Sequence, residues 1–491
     1  MQNDKVLSDK LKQIVKFGGA YGLANVYHQV LMLLVIPVYT EYLSTEDYGI
    51  AGLMSITAGF ILALTKTPAS YGLSRHYFAP GFEDKRGELL LGSVTYAFIQ
   101  SIILALLFYL FSDFFAGVIL EDTKLDHIIK IYCIIILLQP LEEIFQDLAK
   151  LQKKAKLLSI IHACNITFSI ALTLVLLLVF DLKVMALIWG AVSITVFTVI
   201  ALLPNTLRNI KWKFDIKVIK ISLGFGFPLI IAVISLYTMK NVDIYIIKSI
   251  LDVPSAGQYH FGYKFGALLN FFFVLPLKNI IEPLIYELEN EPDKLRKFVS
   301  DTGTYFFTAS MILCVGISLF SQELLLLLAS KAEFQAAWVI VPVIAFAHVN
   351  FAMMDIFGRG LIMTKRSMNF SSLYFAGAIV NIALNYLLIP VYGILGAALA
   401  TLAAYMFISI ISAILSKKHF NQNFEWSKII FTTILGLAVY FVSLTLEFGI
   451  FVNVILKFVL LAVFVILALK LVITKEQKNK YISLIKKKLN R

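Results

Sequence analysis

Apolar residues run in stretches of about twenty or more along almost the whole chain, separated by short polar segments. As a helix rising about 1.5 Å per residue, such a stretch covers the roughly 30 Å hydrocarbon core of a bilayer. A β-barrel would instead need short strands of alternating character. The pattern therefore predicts an all-α polytopic membrane protein with about fourteen transmembrane helices. They fall near 14–40, 48–68, 90–111, 127–149, 157–180, 184–204, 221–247, 255–284, 302–321, 335–357, 369–389, 393–415, 428–446 and 450–472. The fourth, seventh and eighth are the most polar and are expected to tilt or to extend beyond the bilayer. Between the eleventh and twelfth, Pro390-Val391-Tyr392-Gly393 reads as a tight turn.

Composition agrees. Of 491 residues 59% are hydrophobic and 15% charged, and mean hydropathy is +0.84. A soluble chain is nearer 45–50% apolar and about 25% charged, and has too little interior to hide such an excess. The first apolar stretch follows a polar, lysine-bearing start and lacks a small-residue cleavage site, so it is expected to be a retained helix and not a signal peptide. Cys133, Cys164 and Cys314 all lie in apolar stretches, as small hydrophobes do, and point to neither a disulfide scaffold nor a metal.

The net charge of +12 changes meaning once it is mapped. Lysine and arginine gather in alternate gaps: Arg75, Lys85 and Arg86; Lys150, Lys153, Lys154 and Lys156; Arg208, Lys211, Lys213, Lys217 and Lys220; Lys294, Arg296 and Lys297; Arg359, Lys365 and Arg366; Lys417, Lys418 and Lys428; and the tail from Lys475. The opposite gaps hold only Lys124, Lys183, Lys248 and Lys331. By the positive-inside rule both termini face the cytoplasm. The charge is topogenic, and a nucleic-acid partner is excluded. No loop is long enough for a domain, and no phosphate-binding G-x-x-x-x-G-K-[ST] occurs, so ATP hydrolysis by this chain is not expected. Nor is a catalytic cluster evident, which argues against an enzyme.

Short similarities repeat at a slowly growing offset. Ile14–Gly22 matches Val218–Gly226 at 204 residues, Leu43–Gly49 matches Leu251–Gly257 at 208, and Ile170-Ala171-Leu172 matches Ile382-Ala383-Leu384 at 212. They predict two parallel six-helix lobes, 1–210 and 211–420, with a terminal helix pair and basic cytoplasmic tail at 421–491. Parallel repeats around a central cleft are an architecture for transport.

Ionisable groups at membrane depth are costly and tend to face a cavity or a partner. Lys264 lies about nine residues into the eighth span, roughly 14 Å down. His260 is one turn before it and Tyr263 adjacent. Basic groups there would attract a diphosphate or an acidic sugar; the bland reading is a lysine that pairs to hold two helices. His28 and His348 are also deep, and read as hydrogen-bonded packing more readily than as proton carriers. Asn381 and Asn385, four residues apart, either join helices or touch a sugar. Glu142, Glu143 and Asp147 lie toward the cytoplasmic end of the fourth span; they either pair with Lys66 or Lys278 and close an inner gate, or mark the helix exit. Lys240 and Asp243 are the outer counterpart. Lys278 with Glu282 and Asp355 with Arg359 are spaced to satisfy each other locally.

The motifs at helix ends carry a resemblance. Leu43-Ser44-Thr45-Glu46-Asp47-Tyr48-Gly49 resembles an "L-S-x-E-x-Y-G" ending, Tyr71-Gly72-Leu73-Ser74-Arg75 a glycine-then-arginine pattern, and Asp243-Ile244-Tyr245-Ile246-Ile247 with Gly257 and Tyr259 a "D-R-x-x-I…G-x-Y" stretch. Together with the helix layout these are similar to the oligosaccharide and O-antigen (polysaccharide-transport) flippases of the multidrug/oligosaccharidyl-lipid/polysaccharide exporter group. Ile244 stands where that pattern has arginine.

The resemblance implies a cell inner (cytoplasmic) membrane protein working as a monomer, without a cofactor. It would move a polyprenyl-diphosphate-linked oligosaccharide, an O-antigen or capsule repeat unit, to the outer leaflet by alternating access. An H+ or Na+ gradient or substrate supply would drive it, and a glycan polymerase or other assembly protein is the expected partner. A peptidoglycan-precursor flippase shares the plan but would carry more core arginines. A drug or cation exporter of the same group would more often have twelve helices and an acidic pocket.

Overall fold

The computed structural model describes residues 27–288, 291–363, 367–420 and 422–472. Every regular element among them is helical. With no water in hydrocarbon to satisfy N–H and C=O groups, helices close their own backbone bonds.

The chain begins with α1 at 27–42, then α2 (Thr45–His76), α3 (Arg86–Leu110), α4 (Ser112–Leu120), α5 (Asp126–Leu151), α6 (Ala155–Leu178) and α7 (Val184–Asn209). Next come α8 (Ile216–Gly226), α9 (Leu229–Ile250), α10 (Val253–Gly266), α11 (Leu275–Glu287), α12 (Pro292–Leu319), α13 (Ser321–Leu328) and α14 (Ala332–Gln335). The last are α15 (Val341–Phe357), α16 (Arg359–Met363), α17 (Ser367–Tyr392), α18 (Ile394–Phe420), α19 (Trp426–Leu444) and α20 (Ile450–Val472).

Among the described residues eleven helical stretches are long and apolar enough to cross a membrane. The chain is a multi-pass membrane protein. Three of the fourteen expected spans fall outside that set, each for an identifiable reason. Span 14–40 begins outside the described residues. The fourth, α5, carries Glu142, Glu143, Asp147, Lys130 and Lys150. The eighth is interrupted: α10 ends at Gly266, and a π-helical turn at Asn270–Val274 precedes α11. Such π-bulges are rare and often lie at functional sites. The seventh span also breaks, at Phe227-Pro228, because proline cannot donate to the preceding turn.

The chain divides into two compact units. The first takes 1–261, 328–336 and 374–400, and the second 262–327, 337–373 and 401–491. In the first, α2 packs on α3, α5, α8 and α9, and α7 on α5 and α6. One of its cores gathers Leu73, Leu89, Leu90, Ile144, Leu148 and Leu202. In the second, α12 is central, packing on α15, α19 and α20 around Phe306, Met311, Val349 and Phe464.

Candidate functional site

The polar residues of the first unit concentrate where α2, α5, α6 and α7 approach. Lys66 and Ser70 are one turn apart on α2, and Glu143 and Asp147 one turn apart on α5. Lys66 Nζ lies 2.5 Å from Glu143 Oε2, and the Ser70 hydroxyl donates to Asp147 Oδ2. Both contacts span 77 residues, so the helices run in the same direction with their i, i+4 faces in register. Lys150 adds a second cation at 3.0 Å from Asp147. Glu142 is buried and accepts from Gln146 at 3.0 Å. Asn165 of α6 donates to Thr198 Oγ1 at 2.7 Å. Glu143 and Asp147 thus each have a lysine partner, whereas Glu142 is met by a neutral amide.

The second unit holds sparser polar groups. Lys278 of α11 pairs with Asp355 of α15. Glu282's side chain lies outside the described residues, so its expected i, i+4 partnership with Lys278 does too, as do Lys365, Arg366 and the basic tail. Arg359 is buried. The Tyr263 ring stands 5.5 Å from the buried His348, which lies 6.3 Å from Tyr405. Lys264, near the end of α10, is exposed.

Elsewhere in the first unit His260, His28 and Lys240 are half-buried. Asn381 and Asn385 are fully buried, and the Asn385 amide donates to Asn381 O at 2.8 Å and to its Oδ1 at 3.1 Å. Arg75 is exposed and stands 5.8 Å over the Phe225 ring. Asp243 is buried and accepts from the Tyr259 hydroxyl, joining both ends of one motif.

The motif residues also meet one another. A Cβ on Gly257 would lie 1.8 Å from Thr45 O, so α10 crosses the start of α2 as only glycine permits. Tyr48 packs edge-on against Phe261 and Phe334, at 5.6 and 5.2 Å. Ser44 and Asp47 form a capping box. Glu333, absent from the sequence-derived candidates, accepts from Thr45 N and Oγ1 at 3.3 and 3.2 Å, while Lys331 donates to Leu43 O at 2.7 Å. Two pairs with a buried lysine were also missed: Lys457–Glu323 at 2.5 Å and Lys248–Glu121 at 3.3 Å. Lys457, seven residues into a strongly apolar helix, was the available signal.

Among the described residues no three His, Cys, Asp or Glu side chains are placed to hold a metal. What the arrangement offers is half-buried, paired charge between long apolar helices, with Lys264 accessible near the end of α10.

A family model described as "Polysaccharide biosynthesis protein" matches residues 40–336. No curated protein matches the sequence. In fold the chain is similar to the lipid II flippase MurJ in an inward closed conformation, at 16% identity and TM-score 0.72, over 93% of this chain and 99% of that one. It is similar to an inward-facing multidrug resistance MATE family transporter of the MOP superfamily, at 12% identity and TM-score 0.64, over 82% and 94%. A MOP superfamily transporter from Pyrococcus furiosus gives 12% identity and TM-score 0.58, over 84% and 96%. At these identities the likeness is one of fold.

Proposed function

The chain belongs to the polysaccharide biosynthesis protein family, and from that premise we propose that it is a flippase for a lipid-linked glycan. The cargo in this reading is a polyprenyl-diphosphate-linked oligosaccharide, an O-antigen or capsule repeat unit, carried to the outer leaflet of the inner membrane by alternating access. The observation that carries it is Lys264, exposed near the end of α10 in the expected eighth span. A lysine there is tolerable beside water and costly beside lipid tails. An accessible ammonium in an aqueous space offers a diphosphate the charge that hydrocarbon denies it. His260 and Tyr263 flank it in sequence and are proposed to share its role, whereas His348, Asn381 and Asn385 are buried and take packing roles.

The six-plus-six-plus-two plan, with lobes at 1–210 and 211–420 and a terminal pair at 421–491, belongs to the same proposal. It is supported by a coincidence of pairing: Lys66–Glu143 and Lys278–Asp355 each span 77 residues. Their lysines lie 212 positions apart, and so do their carboxylates. That is the offset of the Ile-Ala-Leu repeat. These pairs lie within single units and serve as struts of each lobe. An H+ or Na+ gradient is the proposed drive, with the Glu142–Asp147 group as its natural point of entry.

A second reading, a peptidoglycan lipid-precursor flippase, is favoured over the O-antigen cargo by the fold comparison, which covers nearly all of both chains. A drug or cation exporter has the support of the MATE-type folds at lower TM-scores. Both glycan cargoes share the polyprenyl diphosphate, and the lysine does not choose between them.

The test is genetic. Lys264→Ala and Lys264→Arg are expressed at matched levels in cells lacking the native gene, and surface polysaccharide is measured. Loss with alanine and recovery with arginine is expected; wild-type glycan from the alanine variant overturns the role of Lys264. Rescue of cells depleted of their lipid II flippase would select the second cargo.

A further inference from the structure

The segment joining α7 to α8 presents apolar aromatic side chains outward at a basic edge. Trp212 is 79% exposed, Phe214 58% and Ile216 65%. Three large apolar side chains left open on one short segment need a cover that the rest of the first unit does not provide.

The loop is nevertheless held firmly. Lys211 N donates to Gly87 O at 3.3 Å, and Lys211 Nζ to Asp84 O at 2.6 Å. Lys213 N donates to Lys211 O at 2.7 Å, closing a three-residue γ-turn with Trp212 at its tip. Lys85 reaches Asp215 at 3.5 Å. The turn explains the exposure of Trp212, because the central residue of a γ-turn projects away from the bond that closes it.

Charge identifies the cover. The segments 75–88 and 208–220 carry eight lysines and arginines against four carboxylates. Lys213 is 78% exposed, and its nearest carboxylate, Glu88, is 3.8 Å away and nearly buried, so most of the ammonium faces outward. The alternating-gap charge pattern assigns this edge to the cytoplasm. Tryptophan and phenylalanine favour the headgroup level of a bilayer, while lysines near the surface gain about 1 kcal/mol each from anionic lipid.

We infer that the rigid turn around Trp212, with Lys211 and Lys213, is a binding site for an anionic phospholipid headgroup of the cytoplasmic leaflet. The aromatic rings seat at the glycerol level and the ammonium of Lys213 pairs with the phosphate. The inference is independent of the cargo.

The full chain is placed in nanodiscs of phosphatidylcholine doped with either brominated phosphatidylglycerol or brominated phosphatidylcholine at equal mole fraction. Trp189, Trp338 and Trp426 also fluoresce, so the Trp212 signal is taken as the difference between the native chain and Trp212→Phe. Quenching of that signal is expected to be about fivefold stronger with the anionic quencher, the local enrichment that about 1 kcal/mol from a single lysine gives. Lys213→Gln, a change at an exposed side chain, is expected to remove the preference and keep the quenching. Equal quenching by both lipids in the native chain overturns headgroup selection and reduces Trp212 to an ordinary interfacial ring. Absence of quenching by either means that the loop faces water, and overturns the site altogether.

Discussion

Lys66–Glu143 in the first unit and Lys278–Asp355 in the second invite comparison. Each joins a lysine to a carboxylate 77 residues later, and each is half-buried, with side-chain exposures of 24 and 26% against 18 and 24%. One turn further on they differ. Ser70 and Asp147 extend the first pair, whereas the positions 212 residues beyond them are Glu282 and Arg359. The first region therefore holds an excess of carboxylate that hydroxyls and amides must temper. In the second, the charges balance in sequence. A strut can be preserved while the chemistry beside it diverges, because the ion pair needs only its two members and the neighbouring turn is free to change sign.

The comparison is open to breakage. The largest effect is expected from Lys66→Ala, which strands Glu143 beside two further carboxylates, Glu142 and Asp147. Breaking a buried pair from one side costs about 3–5 kcal/mol, and partial exposure puts this case near the lower end. Unfolding in detergent micelles measures it. Lys278→Ala is expected to cost less, about 2 kcal/mol, since it leaves one carboxylate unpaired. A larger loss from Lys278→Ala than from Lys66→Ala would refute the proposed difference in charge balance. Replacing both members, Lys66→Met with Glu143→Leu, should return stability to within about 1 kcal/mol of the native chain, because apolar residues of similar size substitute well for buried pairs. If the double variant is no better than Lys66→Ala alone, the pair does more than join helices.

The smallest effect belongs to Asp215, outside the membrane-crossing helices. It caps α8, accepting from Val218 N and Lys217 N at 3.3 and 2.9 Å. The backbone bond from Val218, then that from Lys217 and the nearby Lys85, hold its carboxyl below the ordinary 3.8. A lowered pKa means that the charged form is favoured in the folded chain. Its contribution is present above about pH 4 and is lost as pH falls through the depressed value. The stability difference between the native chain and Asp215→Asn should therefore shrink on acidification below pH 4; a difference that grows there would contradict the cap.

Much of this was legible in advance, for local reasons. The spans could be drawn because a membrane helix satisfies its own backbone and needs only a long enough apolar run. The break at Phe227-Pro228 lay within an apolar run and left no gap in it. The π turn at Asn270–Val274 gave no sign either, since hydropathy does not register one extra residue per turn. Among candidate residues, Lys66, Glu143 and Asp147 were found because charge at depth is conspicuous. Glu333 was not, because it sits in a polar gap where carboxylates are ordinary, 288 residues from the Thr45 it binds.

The amino-acid order by itself determined that this is a polytopic helical protein, and which side chains carry charge within its apolar runs. Each follows from transfer free energies that act residue by residue or over a single helix. Only the tertiary structure decided the partners: Lys66 with Glu143, Lys278 with Asp355, Lys457 with Glu323, Gly257 against Thr45. Those choices depend on which helix faces meet and in what register. An apolar run is equally satisfied by any neighbour, so the sequence of one helix does not encode them.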